Sequence, residues 1–147
     1  MKLENQVCSL ELSKRLKELG VKQESLFYYQ NQPFNDGTND IVISIKEIIS
    51  ANNGNSIMNT YSMDEFDEPI YSAFTVSELS EMLPFPFCKD DFLFISKGPD
   101  FYNAYYNHTI HGLSYYGYIC KSEKFSDCLA NLLISVLENK LMELPNG

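Results

Sequence analysis

Glu123-Lys124-Phe125-Ser126-Asp127-Cys128-Leu129-Ala130-Asn131-Leu132-Leu133-Ile134-Ser135-Val136-Leu137-Glu138-Asn139-Lys140-Leu141-Met142 is the stretch whose reading decides the fold. Phe125, Cys128, Leu129, Leu132, Leu133, Val136, Leu137 and Leu141 recur at three- and four-residue steps, so they share one face of an α-helix. Ser122 is placed to cap its first turn, Glu123 and Asp127 suit its positive end, and Lys140 suits its negative end. About twenty residues at ~1.5 Å each give a helix of roughly 30 Å, the width of a small domain. Burying its large apolar side chains at about 1.5–3 kcal/mol each would contribute roughly 10–20 kcal/mol before ordering entropy is subtracted. No other segment offers as much, so the sheet is expected to pack here.

Three β-prone runs lead into that helix: Phe92 to Ser96, Phe101 to His108 and Leu113 to Cys120. Gly98-Pro99 separates the first two and His111-Gly112 the last two, so short turns join them into an antiparallel meander. In the third run, strict alternation sends Leu113, Tyr115 and Ile119 one way and Tyr116, Tyr118 and Cys120 the other.

Upstream, Phe74 to Pro84 carries the clearest helix signals. Thr75 and Glu78 form the capping box T-x-x-E, Phe74 and Leu79 stand where a hydrophobic staple joins them, and Pro84 and Pro86 stop the run. At the other end of the chain, Leu12, Leu16 and Leu19 stripe a helix over Ser9 to Leu19. Gly20 offers its left-handed stop, with Val21 placed for a Schellman contact to Leu16. Ser25 to Gln30 reads as a strand. From Asn31 to Pro69 the signals loosen; Ile41 to Ile45 fits a strand, although Ile41, Ile45, Ile48 and Ile49 also fit a helical face. The expected architecture is one α+β domain over residues 1–147: an antiparallel sheet of about four or five strands, with the N- and C-terminal helices packed on one face.

Composition bounds the function. The chain has 147 residues, ten Tyr, ten Phe and no Trp, and a formal net charge of −9. Seven of those nine net charges lie between Ser62 and Asp91, where eight acids face one lysine. Nucleic-acid binding needs a basic footprint, and the sequence has none. Four cysteines at 8, 88, 120 and 128 form no CxxC pair, and no apolar run is long enough for a leader or a membrane span. The expectation is therefore a cytoplasmic, reducing setting with free thiols.

Two long stretches, Asn5-Gln6-Val7-Cys8-Ser9-Leu10-Glu11-Leu12-Ser13-Lys14-Arg15-Leu16-Lys17-Glu18-Leu19-Gly20-Val21-Lys22-Gln23-Glu24-Ser25-Leu26-Phe27-Tyr28 and Ile70-Tyr71-Ser72-Ala73-Phe74-Thr75-Val76-Ser77-Glu78-Leu79-Ser80-Glu81-Met82-Leu83-Pro84, carry a family resemblance, with a shorter echo at Leu137-Glu138-Asn139-Lys140-Leu141. The chain resembles a family of small uncharacterised proteins of phages, prophages and gut Bacteroidetes genomes. It departs from that pattern at Tyr29, where the family tends to have Trp, and at Ser126-Asp127-Cys128-Leu129, where the family's last helix begins with a more polar turn. The resemblance implies mobile-element ancestry and an α+β fold, and it brings no activity or cofactor with it.

Chemistry-bearing residues are sparse. His108-x-x-His111 with Cys120 and Cys128 is the one metal-like grouping, and half of its spacing is wrong for zinc; Cys128 also belongs to the apolar helix face. This small-enzyme or metal-binding reading, on His108, His111 and Cys120, is the rival. Cys8 or Cys88 as a nucleophile would need a base and an activating setting, and core packing is the simpler use of Cys8. There is no phosphate loop, dinucleotide fingerprint or G-x-S-x-G, and no catalytic residue or cofactor is assigned. The favoured expectation is a non-enzymatic module binding an unidentified, basic protein partner. Its contacts would be Asp64, Glu65, Asp67 and Glu68 together with Tyr105, Tyr116 and Tyr118 of the aromatic meander. One version is an inhibitor whose carboxylates imitate DNA phosphates, and a dimer is compatible with the sequence.

Overall fold

A computed structural model describes residues 2–33, 39–45, 71–84, 91–110, 113–142 and 144; at 31–33, 39, 40, 44, 45, 91, 108–110 and 113–118 only the backbone is described. The class is α+β, with three α-helices and two three-stranded antiparallel sheets among the described residues. The helices are α1 (Leu10–Glu18), α2 (Val76–Met82) and α3 (Phe125–Glu138). Strands β1 (Phe27–Pro33), β2 (Asn39–Ile45) and β3 (Tyr71–Ser72) form one sheet in the order β2-β1-β3. Strands β4 (Asp91–Lys97), β5 (Tyr102–Ile110) and β6 (Leu113–Ser122) form the other as an antiparallel meander.

The single sheet of four or five strands is thus replaced by two of three. The element that makes the difference is β3: two residues have no periodicity to read, yet Tyr28↔Ser72 and Tyr29↔Tyr71 complete the first sheet. The 41–45 run resolves as strand, paired with β1 from Phe27↔Ile45 to Pro33↔Asn39.

Helix α3 lies across β5 and β6 and also meets α1 and α2, while α1 leans on α3 and β3. The two terminal helices therefore do not share one sheet face. Cys128, Leu129, Leu132, Leu133 and Val136 are fully buried, in one cluster with Leu16, Phe74, Leu79, Ala104 and Tyr106. A smaller cluster of Val7, Tyr29 and Ala73 joins the N-terminal segment to the first sheet. Among the described residues, no helix is long and apolar enough to cross a membrane.

Helix ends follow local chemistry. Thr75 accepts from Glu78 N at 3.3 Å and Glu78 accepts from Thr75 N at 2.7 Å, which completes the capping box. Gly20, at φ 86, closes α1 with Gly20 N donating to Lys17 O and Val21 N to Leu16 O at 3.0 Å each, the Schellman pattern. Helix α3 has 14 residues, not twenty. A second Schellman closure ends it: Lys140, at φ 55, donates to Leu137 O and Leu141 N donates to Val136 O. No glycine marks this stop, so the apolar period runs past it in the sequence. At the other end β6 extends through Ser122, whose hydroxyl accepts from Lys124 N at 3.2 Å instead of capping the first turn. Asp127 does serve the helix start, and it also accepts Ser9 N at 2.6 Å from the beginning of α1.

Candidate functional site

The meander has two faces of opposite use. Toward α3, Ala104 and Tyr106 are buried, with Leu93, Tyr102 and Cys120 packed beside them. Tyr102 stacks on Phe125 at 5.0 Å between centroids, and the Tyr106 hydroxyl donates to Pro84 O at 2.8 Å. Burial pushes the Tyr106 phenol above its ordinary range, because the phenolate would lose its water. One residue along, the same strands face outward. Phe92 is 52% exposed, Phe94 43% and Ile119 60%. Phe94 pairs across the ladder with Tyr105, and their rings stack at 5.6 Å with 9° between planes. Lys121 Nζ lies 3.5 Å from the centroid of the Phe101 ring at one end of this surface.

A bulge sets that outward row. Ala104 pairs with Cys120 and Tyr106 with Gly117, so Tyr118 and Ile119 together stand opposite Tyr105. The extra residue resets the alternation expected over 113–120. Cys120 joins the helix side and Ile119 the open side, whereas strict period-two counting from Leu113 could not see the reset. Of the expected tyrosine contacts, Tyr105 lies on this open surface. Tyr116, paired with Asn107, and Tyr118 are placed by backbone register. The acids Asp64, Glu65, Asp67 and Glu68 lie outside the described residues, as do His111 and Cys88.

The rival grouping is not drawn together where it is described. Cys120 pairs with Ala104, and His108 stands four residues further along β5, roughly 13 Å of strand. The Cys120 thiol instead approaches Ser135 Oγ at 3.8 Å. Among the described residues no three His, Cys, Asp or Glu side chains gather as a metal site. Cys128, fully buried, lies against Tyr102 O and Cys120 O at 3.4 and 3.3 Å, and burial followed by the neighbouring Cys120 pushes its thiol up to about 11. Cys8 is also fully buried, its Sγ 3.2 Å from Ser13 Oγ, and burial raises its pKa. Both are core thiols, the opposite of an activated nucleophile.

An open groove of about 920 Å³, which no residue pattern foretold, lies where the N-terminal segment meets the starts of α2 and α3. Asn5, Gln6, Thr75, Ser77, Tyr102 and Lys124 contribute to its lining. Several of its polar groups are already engaged: Thr75 and Glu78 cap each other, and Lys124 Nζ donates to Glu4 O at 3.0 Å and pairs with Asp127 at 3.4 Å. The groove is best accounted for as the seam between these segments.

Comparison with known proteins finds no matching family model, no matching curated protein and no matching solved structure.

Proposed function

We propose that this protein is a non-enzymatic, cytoplasmic interaction module that holds a protein partner against the open face of its β4–β5–β6 meander. The observation that carries the reading is that Phe92, Phe94 and Ile119, all large, apolar and exposed, lie on the face of the meander opposite the one where Ala104 and Tyr106 are buried; on that second face Ile95 alone of the described large apolar side chains is 43% exposed. Each of Phe92, Phe94 and Ile119 would contribute about 1.5–3 kcal/mol if covered. Contiguous exposed apolar side chains mark contact surfaces, and aromatic residues are enriched at their centres. The partner class follows from charge. A net charge of −9 steers basic surfaces inward over long range, and Asp64, Glu65, Asp67 and Glu68 belong to the segment that carries most of it. Mobile-element ancestry rests on the residues of the N-terminal and 70–84 stretches alone.

The test is capture from a lysate with three baits at low and high salt: wild type, Phe92→Ser/Phe94→Ser/Ile119→Ser, and Asp64, Glu65, Asp67 and Glu68 reversed to Lys. The wild type is expected to hold a basic protein that salt weakens, the face variant to lose it, and the reversal variant to lose it as well. Identical capture by all three baits would refute the reading.

A further inference from the structure

The open meander face rests on the reading just given, and the group its partner presents can be named further. We infer that this face is an arginine platform, on which the flat guanidinium of a basic partner stacks against the rings of Phe92 and Phe94 and donates to Asn107.

Charge and ring chemistry argue for a cation. Over residues 91–122 Lys97 and Lys121 balance Asp91 and Asp100, so the meander is formally neutral and the rest of the chain carries the whole net charge of −9. A cation is drawn toward the molecule from a distance, and at this face it meets aromatic rings instead of a bed of carboxylates. The face of such a ring is electron-rich and attracts positive charge. One ring here already holds a cation, since Lys121 Nζ lies 3.5 Å from the centroid of Phe101. Phe94 stacks on Tyr105 with 9° between planes and is still 43% exposed, and Phe92 is 52% exposed, so more ring surface is open to a visitor.

Asn107 selects among cations. It stands directly across the ladder from Phe92, and therefore on the same face of the sheet. Its Oδ1 is sealed from solvent with no hydrogen-bond partner among the described residues. An acceptor in that state costs stability until a donor reaches it. A guanidinium is planar, weakly hydrated and rimmed with five N–H donors, so it can lie on a ring and still donate from its edge. The ammonium of lysine is compact and strongly hydrated, and it cannot stack. Long-range charge treats the two alike; rings beside an unpaired acceptor do not.

The experiment is fluorescence anisotropy of labelled hexa-arginine and hexa-lysine, equal in charge, titrated with the full chain at about 0.15 M salt, where the Debye length is ~8 Å. Hexa-arginine is expected to bind at least about tenfold more tightly, because more than one ring contact and the bond to Asn107 act together. Phe92→Leu/Phe94→Leu keeps apolar surface but removes the rings, and it should bring the two peptides to within about twofold of each other. Asn107→Ala should weaken hexa-arginine more than hexa-lysine. Amide chemical-shift mapping of the wild type with arginine amide must place the largest shifts around Phe92, Phe94 and Asn107, and it decides the matter if the variants fail to fold. Equal affinities for the two peptides, a preference that survives loss of the rings, or largest shifts elsewhere would overturn the arginine platform. If the peptides bind equally while the serine face variant still loses its captured partner, the platform falls and the interaction module stands. If that variant keeps its partner as well, both fall.

Discussion

Removing one carboxylate should loosen the joint between the two halves of the fold. Glu78 accepts from Thr75 N at 2.7 Å, Thr75 Oγ1 at 2.8 Å, Leu26 N at 2.9 Å and Ser25 Oγ at 3.1 Å. The first two belong to the start of α2, which packs on α3; the last two belong to the segment entering β1. Glu78 thus ties the helix layer to the first sheet as well as capping its own helix. Loss of a capping interaction costs about 1 kcal/mol. A buried hydrogen bond to a charged group contributes about 1.5–3 kcal/mol, and this is discounted here because Leu26 is 45% exposed. Glu78→Ala should therefore destabilise the protein by about 2–4 kcal/mol. Thr75→Ala, which removes the acceptor for Glu78 N but leaves the carboxylate its bonds to Ser25 and Leu26, should cost only about 0.5–2 kcal/mol. Glu78→Gln should fall between the two, since its amide nitrogen faces donors where an oxygen stood. Urea unfolding followed by far-ultraviolet circular dichroism, with unchanged m-values, gives the three differences. A Glu78→Ala loss no larger than that of Thr75→Ala would mean that the link to Ser25 and Leu26 contributes nothing.

Three further outcomes are expected. Leu133→Ala, at a fully buried position of α3, should lower stability by about 2–5 kcal/mol in the same unfolding assay. Lys140→Gly should raise stability by about 0.5–1 kcal/mol, because a side chain at φ 55 is strained where glycine is not; a thermal melt showing a loss would refute the assignment of the α3 stop. Stability should also fall as pH rises from about 9, where the Cys128 thiol of the unfolded chain ionises, to about 11, where the buried thiol does. Over that window the folded state binds more protons than the unfolded one, so alkali favours unfolding; Cys8 and Cys120, also raised, act in the same direction. Urea midpoints should fall less steeply across this range in Cys128→Ala, the remaining slope belonging to Cys8, Cys120 and the buried phenols of Tyr29 and Tyr106, which burial also raises.

Elements whose physics is local were legible in the residues themselves. The capping box at Thr75 and Glu78, the Gly20 stop with Val21 against Leu16, and the apolar stripe of α3 from Phe125 to Leu137 depend on neighbours three to five positions away and are present as the spacing implies, whereas Leu141, the last residue expected in the stripe, lies past the helix end and is 43% exposed. The α3 stop was not, because Lys140 adopts a left-handed conformation that its residue type does not advertise. The division into two sheets depended on Tyr71–Ser72 finding β1 across a long stretch of chain, a pairing with no local signature. The open aromatic face was half legible: composition shows that tyrosine and phenylalanine crowd the meander. Only the bulge opposite Tyr105 decides that Ile119 faces out and Cys120 faces α3, since one extra residue inverts a period-two pattern. Local hydrogen bonding and periodicity lie along the chain, whereas strand partners, register and exposed faces are set by which distant segments compete for the same core.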